Sequence, residues 1–229
     1  MQQASGHTLK AFDEDIERLR ALISQMGGLA EHAIEEAMRC LVQRDLEGAA
    51  RIVQEDKKLD ALEIETERRA VQLIALRAPM ASDLRDVIAA LKISGVVERI
   101  GDYAKNIAKR VPLLESAGKI EPLSLLPEMA RISTEMVHNV LDAFVERDAA
   151  AAVAVCERDS AVDDFYDSIF RTLLTHMMEN PQNIGQSAHL LFVAKNLERV
   201  GDHATNIAEM VYYAATGEHL ADRPGKSPR

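Results

Sequence analysis

Residues 98–110 read ERIGDYAKNIAKR, and residues 198–210 read ERVGDHATNIAEM. Glu, Gly, Asp, Ala, Asn and Ile keep their places in both copies. Two copies in a chain of 229 residues mark an internal duplication. The apolar positions around the phrase decide the fold. Ile93, Val97, Ile100, Ala104, Ile107 and Val111 step by four and three, and Val193, Leu197, Val200, Ala204, Ile207 and Val211 step identically. That is the period of a helix that turns one face to a core.

The same period runs upstream through Leu9, Phe12, Ile16, Leu19, Ile23, Met26, Ala30, Ala33 and Ala37, which predicts a first helix. Gly27-Gly28 lies off that stripe, so a soft point or bend is expected there. Asp45 is a good N-cap for a second helix over 46–77. Ala78-Pro79 interrupts it, because proline disfavours helix at the residue before it. A third helix runs to about Val111. The stretch from Pro112 to Pro127, with three prolines and Gly118, reads as a linker. The pattern then repeats: a helix over 127–147, a second after Asp148, and a sixth opened by Asn180 as N-cap with Pro181 at N1. That sixth helix runs to about Thr216, with Gly217 as its C-cap. Strand signals are absent. The expectation is an all-α protein of six helices in two tandem three-helix bundles, over 8–112 and 122–216, with 217–229 a flexible tail.

The composition is 47% hydrophobic and 28% charged, as expected of a globular chain, and Ala, Leu, Glu and Arg favour helix. The net charge of -10 argues against nucleic acid, whose phosphates need a basic patch, and suits cations or basic partner surfaces. Cys40 and Cys156 form no zinc-like cluster, and Cys40 falls on the apolar stripe as a small buried hydrophobe. MQQASGHTLK has no apolar signal region, and no apolar run approaches a membrane span. The expected location is the cytoplasm.

Glu98, Asp102 and Asn106 lie at i, i+4 and i+8, one axial stripe roughly opposite the apolar face; Glu198, Asp202 and Asn206 repeat it. One such pair would be read as a solvated acidic face. Recurrence with the same Asn and the same opposite core points instead to a site. Like charges at this spacing repel by a few tenths of a kcal/mol, and a cation between them reverses the sign. The second helix of each half adds a matching pair. Asp56 and Asp60 are followed by Glu63 and Glu67; Asp159 and Asp163 are followed by Asp164 and Asp167. The expected ligand set is therefore Asp56, Asp60, Glu98 and Asp102 in one half, and Asp159, Asp163, Glu198 and Asp202 in the other. Both sets are expected to face away from the core. All donors are carboxylate oxygens, which suits hard cations such as Mg²⁺, Mn²⁺, Ca²⁺ or iron and does not suit structural zinc. Gly101 and Gly201 sit in mid-helix at a cost of about 1 kcal/mol, which calls for close packing or access by a bound species.

Residues 75–110, ALRAPMASDLRDVIAALKISGVVERIGDYAKNIAKR, resemble the first-half signature of the PhoU family, and HLLFVAKNLERVGDHATNIAEM over 189–210 resembles the second. The run from Asp56 to Glu63 fits the same pattern. The resemblance covers nearly the whole chain apart from its tails. It implies two three-helix bundles, surface Glu/Asp-x3-Asp motifs that hold metal ions, and a regulatory role without catalysis. It further implies a homodimer that links the ATPase of a phosphate ABC transporter to a sensor histidine kinase. On this reading the chain meets membranes only through partners, and keeps the phosphate-starvation response off when phosphate is plentiful. Tyr103 departs from the family, which usually has His there as at His203, and Gly95-Val96 replaces a common Asn-Asp. If that His supports a metal, the two sites are not equivalent.

Two other readings compete. An acidic helical scaffold would bind basic partner surfaces without metal. A carboxylate-bridged di-metal oxidase or storage protein would need Glu-x-x-His on two helices, and only Glu135-x-x-His138 occurs. The seven histidines are scattered, Ser94 and Ser187 lack the context of a nucleophile elbow, and there is no phosphate-binding glycine loop.

Overall fold

The two aspartates read as N-caps set the frame. In the computed structural model, which describes residues 2–114 and 124–220 with side chains from residue 12 onward, both do what the sequence predicts. Asp45 accepts a hydrogen bond from the Gly48 amide at 2.8 Å, and Asp148 accepts from the amides of Ala150 and Ala151, each at 2.9 Å. Each follows an arginine in the left-handed region, Arg44 and Arg147, both with φ 58°. One Arg-Asp turn thus serves the same place in both halves.

Among the described residues the elements are α1 (Gln2–Gln43), α2 (Leu46–Glu55), α3 (Lys57–Arg77), α4 (Ala81–Ala108), α5 (Leu126–Glu146), α6 (Ala149–Glu179) and α7 (Ile184–Thr216), with no strand. The all-α reading in six rods therefore holds, with the second rod divided at Asp56 into α2 and α3. Asn180 accepts from the Gln182 amide at 3.0 Å and caps the 3-10 turn Pro181–Asn183, which leads into α7. Gly217 ends α7 at φ 80°. Ala78 ends α3 in the left-handed region directly before Pro79. Part of the expected linker, 115–123, and the tail beyond Leu220 lie outside the described residues.

α1 runs unbroken through Gly27-Gly28. Gly27 is used for packing, because a Cβ there would collide with Leu141 of α5. The first half stacks α1, α3 and α4, and the second stacks α5, α6 and α7. The halves then join face to face, α4 against α7 and α1 against α5, around one continuous core. Ile93, Val97, Ile100 and Ile107 are fully enclosed, as are Val193, Leu197, Val200 and Ile207. Cys40 and Cys156 are both buried, as small apolar residues. No helix is long and apolar enough to cross a membrane.

Candidate functional site

The two helices that bear the repeated phrase occupy the middle of the molecule. α4 is packed by α1, α3 and α7, and α7 by α4, α5 and α6. Over the phrase itself, only Arg99, Lys109 and Arg199 are exposed. The acidic stripe, expected to face away from the core, is therefore largely covered: Glu198 is buried, Glu98 and Asp202 are half-buried, and the Asp102 side chain keeps 39% exposure. The reason is the number of neighbours: a helix with three partners has little outward face for a stripe opposite its main core contact.

In the first half the stripe meets the start of α3. Lys105 of α4 pairs with Asp102 on its own helix and with Asp56 at the α2–α3 junction. Gly95 lets α3 approach, since a Cβ there would lie 3.1 Å from Glu63 Oε1. At Gly101 a Cβ would lie 2.5 Å from Leu59 Cδ2, so the Leu59 side chain would have to shift. Burial pushes the Glu98 carboxyl up to about 7, and the charges of Asp102, Glu63, Asp60 and Asp56 push in the same direction. Glu63 is also raised, first by burial and then by Glu67 and Asp60. Asp56, Asp60, Glu63, Glu98 and Asp102 thus share one electrostatic environment. Burial opposes the charge on Lys105, but its hydrogen bonds to Asp102 and Asp56 outweigh this and hold the ammonium above its ordinary range. A cavity of about 110 Å³ between α1 and α2 reaches Asp56 and Gly101 from the outside.

The second half builds a related site between α6 and α7. Asp159 is 7% exposed and Glu198 4%, while Asp163 and Asp202 are half-buried. A Cβ on Gly201 would lie 3.4 Å from Asp159 Oδ1, which places that carboxylate against α7. Lys195 Nζ lies 2.7 Å from each carboxylate oxygen of Glu198. Its ammonium also sits 5.2 Å from the ring of Tyr166.

The fold brings the predicted residues of the first half to one helix–helix seam, and in the second half it sets Asp159 of α6 against Gly201 of α7. Glu63, which the sequence placed only near the pair, belongs to the first seam, whereas Glu67, Asp164 and Asp167 are exposed. Among the described residues, no three His, Cys, Asp or Glu side chains are grouped so as to hold a metal ion. The donor chemistry nonetheless fits one. Every donor is a carboxylate oxygen, as a hard cation requires, and the Lys105 ammonium already stands as a cation between acids of two segments. Lys195 stands beside Glu198 of its own helix. Only its spacing, three residues before Glu198, could have flagged it in the sequence.

Tyr103, which departs from the His at position 203, is paired with that histidine. Its Oη lies 2.9 Å from His203 Nε2, and the two rings stack with centroids 5.4 Å apart. The two residues occupy the same position in the two copies and meet each other where α4 crosses α7. Burial lowers the His203 pKa, Arg99 and Arg199 lower it further, and Asp202 opposes them. Elsewhere, the only Glu-x-x-His is spent on other contacts: Glu135 pairs with Arg131 and Arg158, and His138 lies 3.3 Å from Glu31 and 3.4 Å from Asp142.

Residues 23–111 and 126–211 each match the PhoU domain. The chain is 57% identical over 225 residues to the phosphate-specific transport system accessory protein PhoU homolog of Zymomonas mobilis, covering 97% of this chain and 95% of that one. To its counterpart in Caulobacter vibrioides it is 46% identical over 221 residues, covering 96% of each. Among solved structures it is similar to PhoU from Pseudomonas aeruginosa, with a TM-score of 0.86 at 34% identity over 90% of this chain and 100% of that one. The phosphate transport system regulatory protein PhoU from Streptococcus pneumoniae gives 0.85 at 28% identity, over 91% and 99%.

Proposed function

The chain belongs to the PhoU family, and on that premise we propose that it is a negative regulator of the phosphate-starvation response. In this role it is a cytoplasmic, homodimeric adaptor without catalysis. It couples the ATPase of a phosphate ABC transporter to a sensor histidine kinase. Its relatives' description as accessory proteins of phosphate-specific transport supports the transporter side.

It is also a metal-binding protein in this proposal. The supporting observation is that both halves bring carboxylates of two neighbouring helices to one seam, with glycines that leave room for them. Asp56, Asp60, Glu98 and Asp102 would hold one set of ions, and Asp159, Asp163, Glu198 and Asp202 the other. Iron, manganese or magnesium would there supply positive charge between helices whose acids otherwise repel. Glu63 would add a fifth oxygen donor to the first set.

Two experiments test these two parts separately. Deleting the gene in its host should derepress phosphate-starvation genes in rich phosphate; continued repression, with no second copy present, would refute the regulatory role. Elemental analysis of the purified chain should find hard metal, reduced in Asp102→Ala and Asp202→Ala with helical circular dichroism kept. Equal metal content in the variants would refute the assignment of these ligands.

A further inference from the structure

The two lysines come from non-equivalent places in the repeat. Lys105 stands three residues after Asp102; its counterpart in the second copy is Thr205, which is buried and donates its hydroxyl to the Asp202 carbonyl at 2.8 Å. Lys195 stands three residues before Glu198; its counterpart in the first copy is Gly95. The two lysines thus stand at opposite ends of the same acidic stripe. Each lysine engages an acid with little access to water: the side chain of Asp56 is 9% exposed, and that of Glu198 5%. A buried carboxylate needs a cation or a proton, because desolvation without compensation is costly.

We infer that Lys105 and Lys195 are internal counter-ions that compete with metal for these carboxylates, so that a cation enters each site by displacing its lysine. This rests on the metal-binding proposal above. The same oxygens cannot serve both partners. In the second site the Lys195 ammonium hydrogen-bonds Glu198 Oε1 at 2.7 Å and lies as close to Oε2, whereas a hard cation must approach to about 2.0–2.6 Å. Two cations so close would also repel strongly in a seam shielded from water. Displacement is open to both lysines, since the side chains of Lys105 and Lys195 keep 21% and 40% exposure and can swing outward. Metal loading then exchanges one helix-to-helix tie for another. In the first half Lys105 already joins α4 to the α2–α3 junction, so the ion replaces an existing link. In the second, Lys195 pairs with Glu198 of α7, and an ion there would bridge α6 and α7.

The experiment titrates Mn²⁺ into the chelator-treated full chain, reading free Mn²⁺ by electron paramagnetic resonance and thermal stability by circular dichroism. It compares wild type with Lys105→Met, Lys195→Met, the double variant and Lys105→Arg. Each single Met variant should bind Mn²⁺ at least about tenfold more tightly at one site, and the double variant at both. Each should melt lower than wild type without metal and recover with it, while Lys105→Arg should stay near wild type in affinity. Lys105→Gln and Lys195→Gln replace any Met variant that fails to fold. If wild type binds Mn²⁺ and the neutral variants bind it equally or more weakly, the lysines do not compete and this inference fails while the metal proposal stands. If neither wild type nor any variant takes up Mn²⁺, the metal proposal fails and this inference falls with it.

Discussion

Gly27 of α1 and Leu141 of α5 touch where the two halves cross, and the leucine fills the space a Cβ at position 27 would need. Gly28, its neighbour, has nothing within 4 Å of the equivalent point. Adjacent glycines in one helix therefore answer to different physics. Gly28→Ala should stabilise the chain by about 1 kcal/mol, through helix propensity alone. Gly27→Ala should destabilise it by roughly 1–2 kcal/mol, since overpacking outweighs the same propensity gain. Urea denaturation of the two variants beside wild type checks both signs.

These glycines also mark where sequence reading stops. Both look alike as a pair off the heptad stripe, and only the course of α5 tells them apart. Helices, by contrast, were legible from local chemistry. Asp45 and Asp148 cap because their side chains reach amides two or three residues on, whatever the rest of the chain does. Glu98 and Asp102 were legible as a pair, but not their direction. A two-faced picture of α4 puts them in water; the third neighbour of α4 puts them against α3. The break at Asp56 gave no signal, having neither proline nor glycine, and the backbone there stays right-handed with φ -49° and ψ -35°.

Asp86 ties three elements together. Its carboxylate takes Arg20 of α1 at 3.1 Å and Arg147, the C-cap of α5, at 3.4 Å. Burial raises its pKa, and the two arginines pull it back. Asp86→Ala would strand two guanidinium groups. Losing one side of a fully buried pair costs about 3–5 kcal/mol, and the partial exposure of both arginines lowers this to roughly 2 kcal/mol. Asp86→Asn should fall between the two. Thermal and chemical unfolding of both variants measure the difference.

Glu98 gives the metal-free chain a pH signature. Its carboxyl sits at about 7 in the fold against an ordinary 4.5. The stabilising contribution is fully present below about 4.5, where the group is protonated folded or unfolded. It is lost as the pH rises through about 7, where the folded chain must ionise beside Asp102, Glu63, Asp60 and Asp56. Chelator-treated Glu98→Gln should therefore gain stability relative to wild type at pH 8 and lose that advantage by pH 5. Melting temperatures of the two proteins across this range decide it; a constant offset would mean that Glu98 keeps its ordinary carboxyl value.

Tyr103→Phe keeps the ring stack and deletes one hydrogen bond. Stability should drop by about 1 kcal/mol. Metal content, by elemental analysis, should be unchanged, because the phenol pairs with the other half and not with the acids of its own. A fall in metal content would return Tyr103 to the first acidic site.

The meeting of Tyr103 with His203 has a further consequence, which concerns symmetry. Two separate copies of one half, packed about a two-fold axis, would set position 103 against itself. A residue facing its own image must be self-complementary, and a phenol opposite an imidazole is then out of reach. Covalent linkage of the halves removes that restriction, so the two sides of the seam can specialise, one as donor and the other as acceptor. The lysines at 105 and 195 show the same freedom. A tandem chain can keep two units in near-two-fold register while giving each an electrostatic character of its own.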